Sequence, residues 1–150
     1  MTNPLSPDQQ ARRDRMGVLA RAEAAALAAL MPPAPAHRML RAPEIGAVMV
    51  RGRAGATGAP FNLGEMSVTR CSVRLETGEV GHAYVQGRDK DHARNAALID
   101  ALAQRPEGAE VERTVLRPLA EAEAARARAR AEKAAATRVE FFTLVRGEDQ

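Results

Sequence analysis

Apolar and polar positions along residues 7–30 repeat with the period of a helix. Ser6 precedes this segment as a candidate N-cap, with Pro7 at the first helical position and Gln9 where a capping box requires it. Pro32 begins a pair of prolines that stops the pattern. We therefore predict one N-terminal helix over about 7–30, with an apolar stripe formed by Met16, Leu19, Ala20, Leu27 and Leu30.

The middle of the chain changes to the alternating pattern of extended strands. A short strand over 37–41 is predicted to end at Pro43, and a longer one follows over 45–53. An extended segment over 61–75 and a strand over 80–87 complete an antiparallel sheet of about four strands between residues 37 and 87.

The dipeptide Thr77-Gly78 predicts a tight hairpin turn inside this sheet. With a two-residue loop, Val73 would face His82 and Cys71 would face Tyr84. Arg70 and Arg74 would then lie on the opposite face, above two small residues, Gly81 and Ala83.

Two further helices follow the sheet. Asp89 is the expected N-cap of a helix over about 89–104. A C-terminal helix over about 118–146 is rich in alanine and has almost no apolar stripe until Phe141 and Phe142, the expected partner anchor. This helix either reaches another subunit or folds back onto its own core. Together the elements predict a single α+β domain over residues 1–150.

Composition makes a partner more plausible and excludes several classes of protein. Hydrophobic residues make up 45% of the chain and aromatic residues only 3%, which predicts a thin core. The single cysteine, Cys71, excludes an internal disulfide. No apolar run is long enough to span a membrane and the N-terminus lacks a signal-peptide pattern, so we expect a cytoplasmic protein without membrane contact.

The net charge of +3 comes almost entirely from arginine, whose planar group binds phosphate and carboxylate. Arg51, Arg53, Arg70 and Arg74 occupy regularly spaced strand positions, so they could share a face that binds an anionic ligand or an acidic partner. Solvated arginines on an exposed sheet are the alternative. A nucleic-acid-binding module is a remote one, because the strands carry few stacking aromatic residues.

The glycines Gly52, Gly55 and Gly58 form a loop that lacks the features of a P-loop, since it leads into a strand instead of a helix. It predicts a tight turn with positive φ angles. His82 and His92 are candidate proton donors, because histidine titrates near neutrality. Their spacing gives no metal site, so we expect this chain to bind no metal by itself.

Three blocks of the sequence resemble the PhnG family, a subunit of the bacterial carbon–phosphorus lyase core complex. They are RAPEIGAVMVRGRAGATGAPFNLGEMSVTRCSVRL, GHAYVQGRDKDHARNAALIDAL and TRVEFFTLVRG. The resemblance implies a complex with the H, I and J subunits, the I subunit being the expected direct partner. It also implies a part in forming α-D-ribose 1-methylphosphonate 5-triphosphate from methylphosphonate and MgATP, with release of adenine.

The resemblance assigns iron–sulfur chemistry to the J subunit and nucleoside cleavage to the I subunit, so this chain needs no cofactor of its own. MgATP would be a substrate of the whole complex. The chain is then either a structural subunit or a direct contributor to the transferase site. Candidate residues for binding phosphate, phosphonate or a partner are Arg51, Arg53, Gly55, Gly58, Arg70 and Arg88, and candidate acids are His82, His92 and Asp89.

Overall fold

Three antiparallel strands in the order β1-β2-β3 form the sheet of this computed structural model, which describes residues 4–55 and 57–137. The α+β class is confirmed, with three strands where about four were expected. The elements are α1 (Pro7–Arg21), α2 (Ala24–Leu30), β1 (His37–Arg53), β2 (Pro60–Leu75), β3 (Val80–Gln86), α3 (Lys90–Leu102), α4 (Gly108–Val111), a π-helical turn (Glu112–Leu116) and α5 (Arg117–Ala136).

The N-terminal helix begins as predicted but is broken into α1 and α2. Ser6 Oγ accepts from the Gln9 amide at 3.2 Å, and Gln9 Oε1 accepts from the Ser6 amide at 2.9 Å, so the capping box is confirmed. The prediction of one helix to residue 30 was wrong, because Ala22 and Glu23 are extended, with ψ angles of 151° and 131°. The bend lets both Leu19 and Leu27 reach the core, where each is at most 1% exposed.

The expected break at Pro43 does not occur, since β1 runs through it as one strand. Register irregularities between Met39 and Arg41 and between Arg41 and Glu44 absorb the proline. β1 is an edge strand, and a proline is tolerated there because the ladder does not need its missing N–H group. Two predicted strands are therefore one.

The β2–β3 hairpin has a three-residue loop, so the predicted register was wrong by one residue. The Leu75 amide donates to the Glu79 carbonyl at 3.0 Å, and the Gly78 amide donates to the Leu75 carbonyl at 3.0 Å. Gly78 has a φ of 112°, which glycine adopts without strain. Ser72 therefore pairs with His82, and Arg70 and Arg74 pair with Tyr84 and Val80 instead of lying above Gly81 and Ala83.

The core lies between α3 and one face of β2 and β3. Gly81 on β3 faces the backbone of α3 so closely that a Cβ there would lie 1.9 Å from the Ala97 carbonyl oxygen. Alanines on α3 permit this approach, which explains how a chain with few bulky residues still buries a core. Its largest fully buried aliphatic side chains are Leu19, Leu27, Val73, Val85, Leu98, Ile99 and Val115.

An ion pair fixes α1 along the free edge of β3. Arg12 Nη2 donates to Asp100 Oδ2 at 2.7 Å and to the Val80 carbonyl at 3.0 Å. Asp100, whose side chain is fully buried, also accepts from the His82 amide at 2.9 Å. This hydrogen bond to Asp100 is the main reason that the pKa of Arg12 is raised.

The C-terminal helix begins ten residues before its predicted start, because α4, the π-helical turn and α5 are continuous. The Arg117 amide donates to the Glu112 carbonyl, and this wider turn lies just before Pro118, which has no N–H group to donate. α5 ends at Ala136. The remainder of the predicted range, with Phe141 and Phe142, lies outside the described residues.

Only the first part of α5 packs on the domain. Leu119 is buried, and Arg21 Nε donates to Glu123 Oε1 at 2.5 Å, which links α1 to α5. Residues 127–136 are exposed throughout, so about 15 Å of helix projects from the domain at 1.5 Å per residue. No helix within 4–55 and 57–137 is long and apolar enough to cross a bilayer.

Candidate site on the outer face of the sheet

The face of the sheet turned away from α3 carries a row of arginines. Residues directly opposite one another in an antiparallel pair lie on the same face, so the register places them together. We call this surface the arginine face. Glu44 is the acidic residue that the register places among its four arginines, which are Arg38, Arg41, Arg70 and Arg74.

The arginine face is densest where all three strands are present. Glu44 Oε2 lies 2.6 Å from Arg41 Nη1 and 3.5 Å from Arg70 Nη2, so one carboxylate serves two guanidinium groups. The Arg70 group lies above Gly46, where a Cβ would be only 3.6 Å from Nη2. Among the described residues its Nε is buried without a hydrogen-bond partner. This part of the face keeps excess positive charge.

Ser72 and His82 form a pair at the centre of this group. Ser72 Oγ lies 2.8 Å from His82 Nδ1, across the β2–β3 register. In the tautomer with its proton on Nε2, the ring accepts from the hydroxyl and retains one N–H to donate outward. Arg70 and Arg74 flank Ser72 on the same strand, so an anion above the pair would meet both cations and the imidazole N–H.

Arg51 and Arg53 lie on the other face, because β1 alternates without a break from Met49 to Arg53 while the register shift between Val50 and Arg51 leaves Leu63 as an extra residue on β2. Arg51 is opposite Asn62, eight residues along β2 from Arg70, a distance of about 26 Å at 3.3 Å per residue. The structure therefore places the two arginine pairs on opposite faces of the sheet. Arg51 and Arg53 lie near the turn that joins β1 and β2, at the tip of the sheet, whereas Arg70 and Arg74 lie beside Ser72.

The glycine loop at the tip is a self-contained turn. Gly55 has a φ of 57°, as predicted. The Gly58 amide donates to the Ala54 carbonyl at 3.0 Å, and the Thr57 amide donates to the Gly55 carbonyl at 2.8 Å. Arg53 Nη1 donates to the Gly58 carbonyl at 3.1 Å. Two loop amides and one guanidinium group are thus already engaged within the turn.

Asp89 and His92 have clear structural contacts on the helix side of the sheet. Asp89 Oδ1 accepts from the His92 amide at 2.9 Å, which confirms it as the N-cap of α3. His92 is buried, and its Nε2 lies 2.8 Å from the Leu19 carbonyl at the end of α1. The α1 break leaves that carbonyl without a helical partner, and His92 supplies one. Arg88, just before this N-cap, is exposed and stands apart from the arginine face.

Sequence reasoning missed Arg38, Arg41 and Ser72. Arg38 and Arg41 are three residues apart, which in a regular strand places them on opposite faces. The irregularity between Met39 and Arg41 returns both to one face. Ser72 lies between Arg70 and Arg74, and that spacing was visible in the sequence.

Cys71 is buried on the core side of β2, and burial raises the pKa of its thiol, an effect that nearby Arg94 partly opposes. We expect iodoacetamide at pH 8 to leave the folded chain unlabelled and to alkylate it fully in urea, because the thiolate is the reactive form. Mass spectrometry of the intact chain measures this. Rapid labelling of the folded chain would contradict the buried position.

The structure therefore defines an α+β protein with an open cationic surface on its sheet. The chain matches the family "Phosphonate metabolism protein PhnG" over residues 10–147. It is 48% identical over 141 residues to "Alpha-D-ribose 1-methylphosphonate 5-triphosphate synthase subunit PhnG" of Rhizobium meliloti (strain 1021), covering 92% of this chain and 90% of the relative. The chain belongs to the PhnG family.

Proposed function

We propose that this chain is a subunit of an α-D-ribose 1-methylphosphonate 5-triphosphate synthase in phosphonate breakdown, with mainly a structural role. The relative from Rhizobium meliloti, named as such a subunit, supports the assignment through 48% identity along nearly the whole chain. The proposed partners are the H, I and J subunits, in the cytoplasm. MgATP and methylphosphonate are the proposed substrates of the whole assembly.

The structural role is supported by helix and sheet surfaces of this chain that do not pack against its own core. Residues 127–136 of α5 are exposed throughout, and Ile45, Met49, Phe61 and Leu63 on the sheet are more than 40% exposed. Such surfaces on a small domain are typical of a protein that is completed by neighbours. Asp89 and His92, two of the three candidate acids, already have structural hydrogen bonds.

A second candidate function is supported by the Ser72–His82 pair. Its imidazole and the flanking Arg70 and Arg74 have the chemistry needed to hold a triphosphate or a phosphonate, and an imidazolium could protonate the departing adenine. In this alternative the arginine face forms one wall of the transferase site.

Replacing His82 with alanine in the co-expressed assembly separates the two roles. For a structural subunit we expect the complex to form and adenine release from MgATP to stay within a few-fold of wild type, as measured by chromatography of the released base. A fall of about 100-fold or more in an intact complex, the size of a lost catalytic acid, would establish the direct role instead.

Gln86→Ala is the matched control, because Gln86 is exposed on the same strand and the same face. Arg70→Ala should be measured beside it. Loss of assembly with Arg70→Ala, but not with Gln86→Ala, would place an acidic partner on the arginine face. Failure of the wild-type chain to co-purify with any of the other subunits would refute the proposed function itself.

A further inference from the structure

The arginine face has an uncompensated pair of like charges at the end beside the β2–β3 hairpin. Arg38 and Arg74 are directly opposite each other on β1 and β2, where like charges repel. Both residues are exposed. Among the described residues neither side chain is in an ion pair, whereas Arg41 and Arg70 share Glu44. The pair therefore weakens the fold slightly, and an anion bound between the two groups would remove the repulsion.

A pocket of about 430 Å³ lies at this end of the sheet, within the size range of small-ligand sites. It is lined by His37, Arg38, Arg74, Leu75 and Glu76. Glu76 supplies one carboxylate, which forms no ion pair with either arginine in the part of the chain that the structure describes. Two guanidinium groups against one carboxylate leave the lining with a positive charge.

Ser72 and His82 continue this surface towards the middle of the sheet. Ser72 lies two residues before Arg74 on the same face of β2, a distance of about 7 Å at 3.3 Å per residue. Its Oγ is 2.8 Å from His82 Nδ1. A ligand with several negative charges along a chain would therefore meet Arg38 and Arg74 at one end and the imidazole N–H of His82 at the other.

We propose that this surface binds an oligophosphate chain between the Arg38–Arg74 pair and the His82 imidazole. The donors follow one another along the strands, and successive phosphate groups carry negative charge along a line in the same way. Each planar guanidinium group can bind two phosphate oxygens. A single carboxylate of a protein partner would balance one arginine and leave the other uncompensated. This inference rests on the proposed function for its natural ligand, a triphosphate, although the binding itself does not require the assembly.

NMR titration of the purified full-length chain with sodium tripolyphosphate tests the location of the site. The chain has three histidines, and each reports on a different place. His82 lies within the proposed site, His37 lines the pocket, and His92 is buried on the helix side. We expect the ring signals of His82 and His37 to shift and the signal of His92 to stay. If none of the three signals moves, the phosphate chain binds elsewhere or not at all, and the proposal is refuted.

Arg38→Gln is expected to have opposite effects on binding and on stability. Loss of one charge-assisted contact should weaken tripolyphosphate binding about tenfold or more, as measured by calorimetry. Removal of the like-charge pair should raise the melting temperature of the ligand-free chain by about 1–2 °C. Arg74→Gln should behave in the same way. Arg88→Gln is the matched control, because it removes the same charge from an exposed position off the arginine face and should change neither quantity.

Unchanged tripolyphosphate binding by both glutamine variants would refute the proposal. Binding of citrate as tight as that of tripolyphosphate would assign the surface to carboxylates, as on an acidic partner protein, and would also refute it. Equal affinity for ATP and tripolyphosphate would support recognition of the phosphate chain alone, and tighter binding of ATP would support a nucleotide as its source. The proposed function fails separately, if the wild-type chain does not co-purify with the other subunits.

Discussion

Asp100→Asn is expected to lower the free energy of unfolding by about 3 kcal/mol, the lower end of the range for breaking a buried ion pair. The carboxylate is fully buried and accepts from Arg12 through both oxygens, at 3.1 and 2.7 Å, and from the His82 amide at 2.9 Å. Asparagine keeps the shape but turns an N–H group toward these donors. Arg12 retains some access to water, which limits the loss. Urea unfolding of the purified chain measures it.

Asp91→Asn is the matched control for this experiment. Asp91 lies on the same helix and also pairs with an arginine, with its Oδ1 at 3.1 Å from Arg94 Nη1, but its side chain is 78% exposed. An exposed pair of this kind contributes about 1 kcal/mol or less. Equal losses in the two variants would mean that Asp100 does not hold α1 to the sheet.

Gly81→Ala is expected to destabilise the chain by more than about 3 kcal/mol, the upper range of overpacking effects. A Cβ at this position would lie 1.9 Å from the Ala97 carbonyl oxygen and 2.6 Å from the Ala101 amide nitrogen. Both are backbone atoms of α3, so no side chain can rotate away and the helix would have to separate from the strand. Thermal unfolding followed by circular dichroism, together with soluble yield, measures the effect.

Gly64→Ala provides the comparison, because a Cβ there would meet no atom within 4 Å. It should leave the melting temperature almost unchanged. If Gly81→Ala behaves in the same way, α3 does not pack as closely on β3 as described.

Local signals in the sequence predicted where α1 and α3 begin. The capping box at Ser6 and the N-cap at Asp89 depend on neighbouring residues only, and both were visible before the structure. The bend at Ala22 was hidden, since alanines fit any helix and the bend is favoured by distant contacts that bury Leu19 and Leu27. The hairpin register was missed because loop length, which the dipeptide Thr77-Gly78 does not fix, decides which residues face each other.

The difference between local residue patterns and contacts between distant residues also explains what could be predicted of the candidate site. Alternation along single strands placed Arg70 and Arg74 together, and that prediction needed no partner strand. Bringing His82 beside Ser72 required the correct pairing of two strands, and bringing Arg41 to the same face required an irregularity that no local residue pattern marks. The separation of Arg51 from this group follows from the length of β2 and from the register shift between Val50 and Arg51, which no local residue pattern marks.

The exposed end of α5 has the geometry of a spacer that projects from the domain. Residues 127–136 pack on nothing described, so their side chains are free to vary provided that they still form helix, which alanine and arginine do well. The number of residues in this segment is more constrained, because each inserted or deleted residue moves Thr137 by about 1.5 Å along the helix axis and turns it by about 100° around that axis. Selection should therefore constrain the length of this segment, and with it the direction in which Thr137 leaves the helix, more strongly than the identity of its residues.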